Sequence, residues 1–226
     1  MVHPQIATFA RLADGGARPT RKIEGQTTLL SRTIHAIAYD EIHDEFSVPV
    51  PFPQAILTFR GGADGEEAPI RIIQGSRTQL KSPNRLAVDP VHNLLVVVPD
   101  PVSIRFKPSQ VLIFDRTASG NAKPLRIIRG PKTQLTGARE VTVYPPRELF
   151  LVSITEKNGE GYDPNNFIGV WSTHDNGDVP PRWTIGGPNG ILRQTRGNVL
   201  DPKNKTVIVA DKFHNGILTF HIPEIF

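Results

Sequence analysis

The 226-residue sequence has no cysteine and a single methionine. Disulfides and thiolate metal sites are excluded, and the redox state of the compartment leaves no trace. No run of 18 apolar residues occurs, which excludes an apolar membrane-crossing helix. The residues after Met1, VHPQIATF, lack the apolar stretch of a signal peptide. A soluble protein is expected, either cytoplasmic or secreted with its leader removed. Runs of Lys and Arg are also missing, and net charge is only +4. Nucleic acid is therefore not an expected partner. There is no G-x-S-x-G, no H-E-x-x-H and no phosphate-cradling glycine loop. Asn158–Asp163 (NGEGYD) offers oxygen ligands without the spacing of a calcium loop, so it reads as a turn.

What is plentiful is Pro (21) and Gly (19), spread along the chain. That favours many short strands joined by turns over long helices. Apolar residues make up 38%, enough to bury a core.

The chain also repeats itself. Ala63–Gly75 (ADGEEAPIRIIQG) has counterparts at Ala13–Gly25 (ADGGARPTRKIEG), Ala118–Gly130 (ASGNAKPLRIIRG) and Asp175–Gly187 (DNGDVPPRWTIGG). Each contains a Gly turn, then a Pro (Pro19, Pro69, Pro124, Pro181), then a strand centred on Ile23, Ile73, Ile128 or Ile185. Each is preceded by an apolar strand ending in an aromatic residue: Phe9, Phe59, Phe114, Trp171. Phe220 closes a fifth such strand. Downstream of each Gly lie two further strands, such as LAVD (Leu86–Asp89) and NLLVVV (Asn93–Val98). The unit is thus four short strands with a period near 50, which predicts an all-β propeller of about four four-stranded antiparallel blades. One twisted sheet cannot cover both its faces, and the next copy does it.

The whole chain reads as one propeller domain, 1–226. Its repeats fall at about 5–54, 55–110, 111–167 and 168–216, with a closing strand at 217–226. With strands lettered A to D from the axis outward, the order is C-D, three A-B-C-D blades, then A-B-C. Three arrangements fit. In a closed four-bladed ring, the strand around Ile23 would supply the missing D strand beside Phe220. The others are an open arc completed by another chain, as in a homo-oligomer, and a part of a larger propeller.

The stretch Pro83–Val97, followed by VLIF (Val111–Phe114) and a Gly-turn hairpin, resembles the NHL-repeat propellers. The likeness covers nearly the whole chain. It is strongest at Ser82–Gly130 and weakest at Gly161–Gly197. It implies the fold. Such propellers include binding scaffolds, lyases and lactonase-like hydrolases, so it does not name an activity.

In such a fold the D-to-A connectors and B-to-C loops share one face around the axis. Just before the A strands, one layer holds Ala36, Arg85, Glu140 and Gly197, and the layer before it holds His35, Asn84, Arg139 and Arg196. Arg32, Lys81 and Arg193 lie close in sequence. The B-to-C loops Pro99–Ser109 and Thr155–Asn166 are long, and specificity tends to reside in such loops. Converging guanidinium groups would suit a carboxylate or phosphate. The plainer reading is that each Arg pairs with a neighbour such as Glu140 or reaches solvent. A surplus of Arg opposes a divalent cation, so no metal site and no cofactor is expected. His43, His92 and His174 fall in turns of the opposite face and read as structural, with His214 and His221 flanking the last C strand. The expected function is a non-enzymatic binding scaffold. It presents Asn84, Arg85, Arg139, Glu140 and Arg196 to a protein or small anionic ligand. The alternative is a lyase or hydrolase with His35 as acid or base and Arg139 or Arg196 holding an anionic substrate.

Overall fold

The computed structural model of the chain describes residues 4–99, 109–155 and 165–226. Strands β1 (Gln5–Thr8) and β2 (Arg21–Glu24) form an N-terminal hairpin. Blade 1 is β3 (Ala38–Asp40), β4 (Glu45–Val50), β5 (Ala55–Arg60) and β6 (Arg71–Gln74). Blade 2 is β7 (Pro83–Asp89), β8 (Leu94–Pro99), β9 (Val111–Asp115) and β10 (Arg126–Ile128). Blade 3 is β11 (Ala138–Tyr144), β12 (Leu149–Ile154), β13 (Phe167–Ser172) and β14 (Trp183–Gly186). Blade 4 has three strands, β15 (Thr195–Asp201), β16 (Thr206–Asp211) and β17 (Gly216–His221). All pairings are antiparallel between sequence neighbours, and the C-D, three A-B-C-D, A-B-C order is as expected. Helical structure among the described residues is limited to single 3-10 turns.

The inner strands stack in series: β3 on β7, β7 on β11, β11 on β15. Strands β8 and β12 are buried at every position, because a neighbouring blade covers each face. The core is accordingly a set of seams. Val96, Ile113 and Ile128 of blade 2 meet Val141, Phe150 and Trp171 of blade 3. Leu151, Val170 and Ile185 of blade 3 meet Val207 and Val209 of blade 4. Each fully buried side chain of this kind contributes about 1.5–3 kcal/mol.

The repeated hairpin has a second duty that its sequence did not reveal. Its turn clamps the outer strand of the preceding blade. Gly65 N–H donates to the Lys22 carbonyl (2.9 Å), and Glu24 N–H donates to the Gly65 carbonyl (3.0 Å). Gly120 does the same to Ile72 and Gln74, and Gly177 to Ile127 and Arg129. Side chains complete the clamp. Glu66 accepts from Gln26 N–H (2.6 Å), Asn121 from Arg77 N–H (2.7 Å) and Asp178 from Lys132 N–H (2.7 Å). These acceptors lie against Gly25, Gly75 and Gly130, whose φ values of 109°, 130° and 139° also require glycine. A Cβ on Gly75 would fall 2.5 Å from Asn121 Oδ1.

One expectation is corrected. The strand around Ile23 does not lie beside Phe220. It pairs with β1, Ile23 opposite Ile6, and β17 has only β16 as a partner among the described residues. Nor do the two ends share a core cluster or a strand pairing. The reason is the direction of stacking. Blade 4 covers blade 3, and the N-terminal hairpin covers blade 1 through Ile6 and Ile23, so the two ends face away from the seams they seal. Ile37 and Tyr39 at one end, and Val199 and Ile217 at the other, stay exposed.

Candidate functional site

The inner strands of blades 2, 3 and 4 each open on a β-bulge. The register shifts between Pro83 and Arg85, between Ala138 and Glu140, and between Thr195 and Gly197. The residues left over are Asn84, Arg139 and Arg196. A bulge bends its strand and re-aims the side chain it carries. Three of the four residues of that layer therefore sit at one recurring backbone device. Blade 1 lacks it. Strand β3 begins only at Ala38, so His35 sits in an irregular connector and is exposed.

The structure brings Arg85, Asn84 and Glu140 together. Arg85 Nε lies 3.3 Å from Glu140 Oε2, linking blades 2 and 3. Arg85 also donates to the Asn84 carbonyl (3.2 Å) and to its side-chain oxygen. Burial pushes the Glu140 carboxyl above its ordinary range, against the opposing pull of Val141 N–H and the Arg85 guanidinium. The plainer reading holds for Arg85: its partner is the neighbouring carboxylate. His35 lies in the connector to β3, which packs on β7, and Arg139 and Arg196 lie at the bulges that open β11 and β15.

Buried polar groups brace the chain beside Arg196. Asp211 accepts from Arg193 N–H (2.7 Å) and Gln194 N–H (3.1 Å) with one oxygen, and from Phe213 N–H (3.0 Å) with the other. Burial works against its ionisation, yet the backbone N–H groups of Arg193, Gln194 and His214 hold it below the ordinary carboxylate range. Thr155 and Thr195 hydroxyls pair at 2.9 Å, and Asn198 donates to Ser153 Oγ at 2.8 Å. The D-to-A connector is thereby fixed to the end of β16. Most of the two long B-to-C loops, and all of Asn158–Asp163, lie outside the described residues.

Neither of two depressions among the described residues is lined by His35, Arg85, Arg139 or Arg196. One of about 590 Å³ opens on the opposite face and includes Glu41, Val88, His92, Val143 and Glu148. The other, about 580 Å³, lies between Phe52–Gln54 and Gln74–Lys81. Around the first, Asp40 and Asp89 cap the A-to-B turns, accepting from His43 N–H (2.9 Å) and His92 N–H (3.0 Å). Each also holds the following imidazole through Nδ1. These histidines lie in the A-to-B turns, as expected. A buried ionic cluster escaped the sequence reading. Arg116 reaches Glu45 (2.6 Å), Asp40 (3.3 Å) and Asn93 (3.0 Å), and Arg71 also pairs with Glu45. It ties blade 1 to blade 2. Only the acid-rich A-to-B turns and the Arg after VLIFD hinted at it.

The likeness of this chain to known proteins lies in its fold. No protein-family model matches the chain, and no curated protein matches it in sequence. Solved structures do. A chain of a mitotic checkpoint complex superposes with a TM-score of 0.61 at 10% identity, over 93% of this chain and 55% of that one. A candidate 6-phosphogluconolactonase from Bacteroides uniformis gives 0.59 at 16%, over 85% and 51%. A Kuenenia stuttgartiensis hydrazine synthase gives 0.53 at 11%, over 76% and 42%. The chain is an all-β, propeller-like protein. It spans about half the length of the chains it matches.

Among the described residues no helix is long and apolar enough to cross a membrane, and no group of three or more His, Cys, Asp or Glu could hold a metal ion.

Proposed function

We propose that this protein is a non-enzymatic propeller scaffold of the NHL type that binds an acidic segment of a partner protein at the basic mouth of its inner strands. The observation that carries the reading is the recurrence of the bulge, which sets Arg139 and Arg196 at matching levels of adjacent blades. Glu140 is the carboxylate of the inner layer and lies against Arg85. Positive charge at matching heights on a rigid scaffold favours a partner that presents carboxylates in an extended array.

The test uses a fluorescent oligoglutamate peptide and anisotropy at low salt. The double variant Arg139→Ala, Arg196→Ala should weaken binding by roughly tenfold or more, on the scale of two charge-assisted contacts. A control double variant on the outer edge, Arg60→Ala with Arg182→Ala, should leave it unchanged. Equal losses in both would mean diffuse attraction to net charge and would remove the mouth from the proposal.

A further inference from the structure

The described chain contains five C strands and four D strands. Strand β17 is the one without an outer partner, and β2 is the D strand served by the shortest C strand. We infer that β17 of one copy replaces β1 against β2 of a second copy, so that two copies exchange strands reciprocally and close a larger ring.

The register is already written in the molecule. The tetrapeptide Ile217-Leu218-Thr219-Phe220 is identical to Ile56-Leu57-Thr58-Phe59. In blade 1 that segment pairs with β6 as Ile56 opposite Ile73, Leu57 opposite Ile72 and Thr58 opposite Arg71. Strand β1 pairs with β2 in the same register: Ile6 opposite Ile23, Ala7 opposite Lys22, Thr8 opposite Arg21. Exchange therefore places Ile217 opposite Ile23, Leu218 opposite Lys22 and Thr219 opposite Arg21.

The backbone groups point the right way. The Thr58 carbonyl accepts from Ile70 N–H (2.8 Å) and the Thr8 carbonyl from Thr20 N–H (2.7 Å), both toward the D strand. Thr219 is the corresponding residue, so its N–H and carbonyl face the open edge. Such an edge is a template for another strand. The strand to be displaced is weakly held, since β1 has four residues and three of them are exposed. Strand β17 brings six residues and puts Leu218 where β1 has Ala7.

The sheet faces agree as well. Val199 and Ile217, 54% and 67% exposed, look outward from blade 4. Ile37 and Tyr39, 56% and 54% exposed, look outward from blade 1. In the seams within the chain, residues at these positions cover one another, as Ala38 does with Leu86 and Val88. The superposition on about half of single longer chains fits an arc whose remainder a second copy supplies. A head-to-tail contact of this kind closes when the rotation between copies permits. The inference is independent of what binds at the mouth.

The chain lacks cysteine, so one engineered pair reports the contact without background. Protein carrying Thr219→Cys is mixed with protein carrying Arg21→Cys under mild oxidation; directly opposed residues suit a disulfide. A covalent dimer in the mixture, and in neither protein alone, is expected. Light scattering of the unmodified protein should give twice the 24.9 kDa of one chain. Thr219→Pro removes an N–H from the open edge and none from the ladder with β16, and should lower the dimer's association constant at least tenfold. A mass of one chain at the highest soluble concentration overturns the inference. So does a dimer that Thr219→Pro leaves intact and that the cysteine pair does not trap, because another surface would then hold it.

Discussion

One column of residues faces the next blade in every repeat, and its environment differs sharply between the middle of the stack and its end. In blade 2 it is Ala87, Val96 and Ile113, and in blade 3 Leu151 and Val170 stand at the positions of Val96 and Ile113; all five are buried. In blade 4 the same positions are Val199, Ile208 and Thr219; Ile208 is half-buried and the other two are exposed. Local pairing is equally regular in all three sheets. The difference lies in the neighbour. In this fold the following copy supplies the burial, so a strand's own pattern says that it has two faces to cover but not whether both are covered.

The sharpest way to break this comparison is at Trp171. It stands where other repeats have Phe59, Phe114 and Phe220, and Gly169 stands where they have Leu57, Leu112 and Leu218. The indole stacks on Phe150 at 5.8 Å and fills the space that a side chain on residue 169 would need. Gly169→Leu should cost several kcal/mol through overpacking, on the order of 3 or more, and combining it with Trp171→Phe should recover most of the loss. Trp171→Ala should cost about 3–5 kcal/mol, whereas Val199→Ala at the open end should cost under about 0.5 kcal/mol in the monomer. Urea unfolding reads all four. Equal costs for Trp171→Ala and Val199→Ala would mean that blade 4 is covered after all.

The next effect in size is polar. Arg116 is buried against Glu45 and Asp40 in the seam between blades 1 and 2. Arg116→Ala removes one partner each from buried Asp40 and half-buried Glu45, which keep His43 and Arg71, and should cost roughly 2 kcal/mol. Arg182, half-exposed beside Asp175, is the contrasting pair, and its loss should cost under about 1 kcal/mol. Similar midpoint shifts for the two would show that Glu45 and Asp40 find water when Arg116 is removed.

A smaller contrast concerns the clamps. Gly130 and Gly187 both have positive φ, 139° and 87°. Only Gly130 has a side chain of the next blade, Asp178, against it. Backbone strain of about 1–3 kcal/mol applies to an alanine at either site, so Gly130→Ala should exceed Gly187→Ala by the clash alone. Parity would mean that Asp178 simply moves aside.

The strand order and the inner-strand aspartates could be read from the sequence because both depend on local chemistry. Period-two patterning marks a strand, and a carboxylate two or three residues before free N–H groups caps a turn, as Asp40 and Asp89 do. The clamps of Glu66, Asn121 and Asp178 could not be read, since their partners lie 40 or more residues away in the preceding blade. The bulges at Asn84, Arg139 and Arg196 were equally hidden, because a one-residue register shift leaves composition unchanged. The three arrangements open to the sequence, a closed ring, an open arc and a part of a larger propeller, could not be told apart for the same reason: stacking order decides which sheet β2 can reach.

The smallest predicted effect tests the mouth against the seams. Arg85 and Glu140 join blades 2 and 3 where the apolar seam gives way to solvent. Burial raises the Glu140 pKa, so the folded chain holds that proton more tightly than the unfolded chain. Stability from this group is therefore fully present below the unfolded carboxylate value, near pH 4, and is lost as pH rises through the raised folded value. Glu140→Gln cannot titrate. The stability of the unmodified protein minus that of the variant should fall as pH is raised from about 4 toward neutrality, by urea midpoints on a common buffer series. A difference that rises with pH would mean that the attraction of Arg85 outweighs desolvation. The pair would then act as a true inter-blade tie.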